Sequence, residues 1–268
     1  MSVRIWSFVL LFALQWVYAQ WQPLAHGLEL GRFKAPDSLK TYSHPIVILR
    51  VNPNFYYFKL LAISELNHRP LTAEQWAKKY KLIAVTNAGM FDTDFKTHVG
   101  LLTNFDHLNN PVKNHYKSVA AFNPVDSSRS PFMIFDLDKV SFDQILKQYQ
   151  CLIQNLRLIR RPGENRWKQQ YMKWSEAALG QDRDGNVLLI FSRAPYSMHD
   201  LNNILLNLPI KLTCAQHLEG GPEASLYLKY GKVELKLSGS FETGFNENDE
   251  NMKFWPIPNV LGIAPKNN

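Results

Sequence analysis

Residues 82–85 form an apolar run that ends abruptly in Thr86-Asn87-Ala88-Gly89-Met90-Phe91-Asp92, where amide, glycine and carboxylate replace packing residues. A strand that stops this way presents polar side chains and exposed backbone at the margin of a core. The chain repeats the device near its end. Residues 212–218 run into Glu219-Gly220-Gly221-Pro222-Glu223-Ala224-Ser225 before the next apolar run. Two strand ends that each carry a carboxylate predict one shared site, provided the fold brings them together.

Short strand-like runs dominate the rest: 46–51, 57–63, 82–86, 100–103, 118–122, 132–135, 152–159, 187–191, 226–228, 233–237 and 260–263. Helices are fewer. Thr72-Ala73-Glu74-Gln75 and Ser141-Phe142-Asp143-Gln144 both fit the capping box that opens a helix, the first running to Tyr80 and the second to Tyr149. A third helix is expected over 198–206, stopped by Pro209. Helices dropped between hairpins predict an α+β fold, a single domain over residues 20–268 with a mixed β-sheet core and a few helices packed on it. Segments 161–173 and 239–253 are polar and read as surface loops, the first able to border a cleft.

The N-terminus carries Arg4, an apolar core over 5–14 and Val17-Tyr18-Ala19, the pattern of a secretory signal over residues 1–19. The alternative, an uncleaved anchor, needs about 20 apolar residues, more than this stretch supplies. No later segment is long and apolar enough to span, so no membrane span is expected after cleavage. Export predicts a periplasmic or secreted protein, and the absence of any Asn-x-Ser/Thr acceptor fits a bacterial one. Two cysteines in an oxidising compartment predict a Cys151–Cys214 disulfide; because both begin apolar runs, two buried thiols are the alternative.

The formal charge of +7 favours acidic partners. Arg157, Arg160 and Arg161 form only a short run without interleaved aromatics, which argues against nucleic acid. His44, His98 and His217 lack zinc-ligand spacing, and Asp182-Arg183-Asp184-Gly185-Asn186 puts its glycine too early for an EF-hand, so no metal is expected and that stretch reads as a hairpin turn.

One family carries these motifs in this order. Asn87-Ala88-Gly89-Met90-Phe91-Asp92, then Val99-Gly100-Leu101, then Trp174-Ser175-Glu176-Ala177-Ala178-Leu179-Gly180 with Asp184-Gly185, and finally Leu218-Glu219-Gly220-Gly221-Pro222 with Ala224-Ser225-Leu226, resemble the phosphodiester glycosidase family. The resemblance implies a hydrolase that cleaves between a sugar's anomeric carbon and a phosphodiester oxygen, on a carbohydrate or sugar-phosphate substrate and without a cofactor. Phosphate leaves readily, so a carboxylate that activates water or attacks the anomeric carbon matters most, with donors that hold phosphate and sugar hydroxyls.

Glu219 is the first candidate for that carboxylate and Asp92 the next, with Glu176 as a possible partner set beside the small pair Ala177-Ala178. Asn87, Gly89, His98, Arg193, Gly220, Gly221 and Ser225 are candidates for substrate binding: an amide, exposed backbone, an imidazole, a planar fork for phosphate and a strand-start hydroxyl. Each has a structural alternative. Asn87 suits an Asx turn, Asp92 a loop cap, Glu219 a solvated turn, and Arg193 the surface. The chain departs from the family twice, with Glu219 where aspartate is commoner and Glu176 where arginine commonly precedes the small-residue strand. A noncatalytic glycan-binding or envelope-assembly protein with the same cleft is the rival expectation.

Overall fold

The computed structural model describes residues 21–35 and 44–266; the expected signal over 1–19 lies outside the described residues. Three antiparallel sheets enclose one core. The largest orders Trp21–Ala25, Leu28–Phe33, Ile46–Val51, Val187–Tyr196, Trp174–Asp182, Leu212–Gly220, Arg157–Arg160 and Glu164–Asn165 side by side. A second runs His107–Asn110, Leu102–Asn104, Tyr149–Asn155, Ser118–Pro124 and Phe132–Asp136, and a third Val233–Ser238, Ser225–Tyr230, Ala84–Asn87, Asn259–Pro265 and Tyr56–Ala62. The α+β class holds. The expectation of a mixed sheet does not, because every strand pairing among the described residues is antiparallel. Hairpins join consecutive strands, and the longer connections between non-consecutive strands also return antiparallel.

Inner faces of all three sheets supply the central core, among them Leu49, Phe58, Phe122, Phe132, Leu179, Leu189, Leu226 and Leu261. A helix covers the outer side of each sheet. Met198–Asn207 lays Met198, Leu201, Ile204 and Leu205 on the large sheet. Ala73–Tyr80 sets Trp76 against the third, its indole N–H donating to Ile257 O at 2.9 Å. Phe142–Leu146 packs Ile145 on the second. Sandwiched between core and helix, Trp174–Asp182 and Val187–Tyr196 are buried almost throughout, and residues 187–191 of the second read as a continuous apolar run instead of an alternating one.

Both capping boxes form, with Thr72 and Ser141 accepting from the backbone of Gln75 and Gln144. The second helix stops at Leu146, short of the expected Tyr149, because Gln148 O accepts from Val125 N and Tyr149 already pairs with Pro124 in a sheet. The single strand expected over 152–159 is two, Tyr149–Asn155 in the second sheet and Arg157–Arg160 in the large one, and the chain changes sheet at Leu156. The Cys151–Cys214 disulfide is absent; both cysteines are buried free thiols. Cys151 donates to Asn104 Oδ1 at 3.2 Å, and Cys214 Sγ accepts from Arg161 Nη2 at 3.1 Å, so each sulfur points to its own polar partner. Among the described residues no helix is long and apolar enough to cross a membrane.

Candidate active site

The site lies where the chain passes from one sheet to another. Leu212–Gly220 leaves the large sheet, turns through the 3-10 segment Gly221–Glu223 and enters the third sheet as Ser225–Tyr230. Ala84–Asn87 of the third sheet ends beside this turn. Asn87 fastens the two together, its Nδ2 donating to Glu223 O at 3.0 Å and its Oδ1 accepting from Ser225 N at 2.8 Å. A second crossing, at Asn155–Leu156, closes the corner: Asn155 Nδ2 donates to Ala88 O at 2.8 Å, and Leu156 O accepts from His217 N at 2.9 Å. The two glycine-marked strand ends are therefore brought to one place.

At its centre is a pair that sequence reasoning named only in part. His217 Nδ1 and Glu176 Oε1 lie 2.6 Å apart, on adjacent strands and both almost fully buried. Trp174 Nε1 donates to the other oxygen of Glu176 at 2.7 Å, and its ring meets the imidazole edge-on. Burial opposes charge on His217, but the adjoining carboxylate outweighs it and raises the imidazole above its ordinary value. Nδ1 is committed to Glu176, which leaves Nε2 as the nitrogen able to meet a ligand.

Glu219 sits two residues on, at a bulge: Ala178 pairs with His217 and Ala177 with Glu219, so Leu218 is the extra residue and drops into the core. The Glu219 side chain keeps some contact with solvent, yet burial pushes its pKa up to about 8 against the pull of His217. Glu223 and Glu242 face the same corner. Burial raises both, Glu223 further by the charge of Glu242, while His217 draws Glu242 back. The phenol of Tyr116 is raised by burial and then by the charge of Glu219. Four carboxyl groups and one imidazole thus share a partly dry corner, an arrangement suited to proton transfer.

Glu242 comes from the loop over 239–253, which was read as surface. The loop is fixed. Ser175 Oγ accepts from Ser240 N and Phe241 N, Trp174 and Glu242 form an isolated bridge, and the carboxylate of Glu242 rests on Gly221, where a Cβ would collide with it. Gly221 has φ +60, so both backbone conformation and space demand glycine. Gly220 donates its N–H to Glu219 Oε1 at 3.1 Å and lies under the Trp174 ring.

The remaining candidates serve the frame. Gly89 packs so tightly that a Cβ would overlap Asn155 Oδ1 and His98 Nε2. His98 is fully buried, accepts from Gly100 N at 3.1 Å, and is held neutral by burial with its pKa down to about 4. Ser225 is buried and its hydroxyl donates to Glu223 O at 3.0 Å. Arg193 does not present a free fork: it pairs with Asp249 at 2.7 Å and donates to Ser238 O, Asp249 O and Asn251 O, anchoring the loop that carries Glu242. Asp92 stands in an exposed turn and spends its Oδ1 on Thr93, away from the bonds that build the corner. The missed signal was local: His217-Leu218-Glu219-Gly220-Gly221 puts an imidazole two residues from a carboxylate at a glycine-marked strand end. Among the described residues no group of His, Cys, Asp and Glu is arranged to hold a metal ion.

The fold has solved counterparts. The zebrafish N-acetylglucosamine-1-phosphodiester alpha-N-acetylglucosaminidase catalytic domain, auto-inhibited by its pro-peptide, superposes with a TM-score of 0.63 at 18% identity over 91% of this chain and 85% of that one. A hypothetical protein from Synechocystis gives 0.60 at 12% identity over 90% of this chain and 63% of its own. No curated protein sequence matches the chain. The sequence pattern that defines the phosphodiester glycosidases matches residues 80–264, a span that takes in both glycine turns, Glu176, His217 and Glu242, and the chain belongs to the phosphodiester glycosidase family.

Proposed function

We propose that this protein is an exported hydrolase that cleaves a sugar-1-phosphodiester at the bond between the anomeric carbon and the phosphodiester oxygen, in an envelope or extracellular glycan. The observation that carries the reading is the corner where Asn87 ties two strand ends and the His217–Glu176 pair stands beside Glu219. With its pKa pushed up to about 8, Glu219 holds a proton at neutral pH, which suits a donor toward the departing oxygen better than the base or nucleophile expected of it.

Glu242, held on Gly221, is the carboxylate that takes a proton from the attacking water, and its raised pKa strengthens it as a base. The C1–O bond then breaks with its electrons passing to the phosphate oxygen, which receives the Glu219 proton. Free sugar and a phosphomonoester result. His217, which Glu176 biases toward its charged form, offers positive charge to the oxygen that departs with the phosphate.

The test is turnover of a sugar-1-phosphodiester by the mature protein and by Glu219→Gln. A fall of about 100-fold or more is expected for the variant, together with a wild-type rate that declines above about pH 8 as Glu219 loses its proton. Unchanged turnover in Glu219→Gln removes Glu219 from the reaction. Binding of glycans without any turnover favours the noncatalytic reading that the Glu219 and Glu176 departures also suit.

A further inference from the structure

We infer that the recess lined by His115, Lys117, Arg157, Arg160, Arg166 and Trp167 is the subsite that holds the anionic, phosphate-bearing aglycone, an assignment that rests on the hydrolase reading above. The acid corner alone does not balance the charge of such a group. The charges that weigh most on Glu219 are His217, Glu223 and Glu242, and the one cation among them is already paired with Glu176. A phosphodiester whose sugar is at Glu219 therefore needs cations beyond His217 for its remaining phosphate oxygens and the rest of its aglycone.

The recess begins where that corner ends. Leu156 lines it, and Leu156 O is the acceptor for His217 N at 2.9 Å. Tyr116, whose phenol senses Glu219, lies between His115 and Lys117, both of which line the recess. A ligand that passes Tyr116 leaves the carboxyl groups and meets guanidinium and ammonium groups. The volume of about 300 Å³ fits one phosphoryl group with a small substituent.

The basic floor is built in advance. Arg157 bonds Asp136 and, at 2.8 Å, Asp138, and Arg160 Nε bonds Asp136 at 3.1 Å, so both guanidinium planes are fixed and largely buried. Arg160 reaches Glu164 only at 3.7 Å through Nη1, and among the described residues its Nη2 makes no bond. Trp167 is held by its indole N–H on Arg157 O at 2.9 Å. At the rim, Lys117 and Arg166 are more than half exposed. The four cations outnumber Asp136, Asp138 and Glu164, so the recess keeps a positive surplus.

The full chain, labelled at its tryptophan indoles, is titrated with inorganic phosphate against sodium chloride of equal ionic strength. Phosphate is expected to shift the Trp167 indole N–H in the wild-type protein and in Glu219→Gln. Reversing both exposed charges, Lys117→Glu with Arg166→Glu, weakens the phosphate response by at least about fivefold while the melting temperature reports an intact fold. A Trp167 signal that ignores phosphate, or one that responds equally in the double variant, overturns the subsite. Turnover is not part of this readout. Phosphate bound at Trp167 in a protein that hydrolyses nothing upholds the recess and defeats the hydrolase reading; hydrolysis with a silent Trp167 does the reverse.

Discussion

Replacing Glu219 by glutamine changes how stability depends on pH, and the size of the change follows from the site. The carboxyl is moved from 4.5 to about 8, which means the fold favours its neutral form. A raised carboxyl pKa contributes stability that is complete below pH 4.5 and is lost as pH rises toward 8. At about 1.36 kcal/mol per pH unit the gap has a ceiling of about 5 kcal/mol. Residual solvent contact of Glu219 screens its charge and brings the expected effect to about 2 kcal/mol. Glutamine cannot ionise, so the variant should match wild type at pH 5 and exceed its stability by about 2 kcal/mol at pH 9, about 4–8 °C in melting temperature for a chain of this size. His217 adds to the trend with the same sign. Its raised pKa supplies stability present below its unfolded value and lost above its folded one, and Glu219 is among the charges that raise it. Thermal melts followed by circular dichroism at pH 5, 7 and 9 measure the difference. Parallel melting profiles for the two proteins across that range would refute the account of a neutral, desolvated Glu219.

Gly89→Ala should destabilise by about 1–3 kcal/mol, measured by urea titration, since its Cβ is driven into Asn155 and His98. A neutral outcome would show that the turn tolerates displacement. For the cysteines, Ellman's reagent should find no reactive thiol in the native protein and two after unfolding without reductant; no thiols after unfolding would restore the disulfide.

Much of the frame was legible because it is written locally. Ile46–Val51 has the expected bounds, both capping boxes form, and the glycines after Asn87 and Glu219 mark the strand ends that do meet. What was lost depends on partners distant in sequence. His217 is marked locally only by its place two residues before Glu219; its role comes from Glu176, 41 residues away on the neighbouring strand, a pairing its own run does not announce. Arg193 has the shape of a phosphate fork, but the acceptors around it are the carbonyls of a folded loop. Glu242 looked like one more loop carboxylate until Ser175 and Gly221 were seen to seat it. Sheet changes are equally nonlocal: residues 152–159 have the composition of one strand, and the break at Leu156 is imposed by Ala88 and His217.

The junction of three sheets divides the molecule into parts with different freedom to vary. Its floor is common property: a shift in any one strand end moves bonds made by the other two, so drift there is penalised from several sides at once. The margins are two loops, 239–253 and 161–173, bonded to each other where Lys173 N donates to Thr243 Oγ1 and anchored to the frame through Ser175 and Arg157. Joint exchange of those margins is therefore the route by which a chain of this design can come to accept a new substrate while the machinery beneath stays as it was.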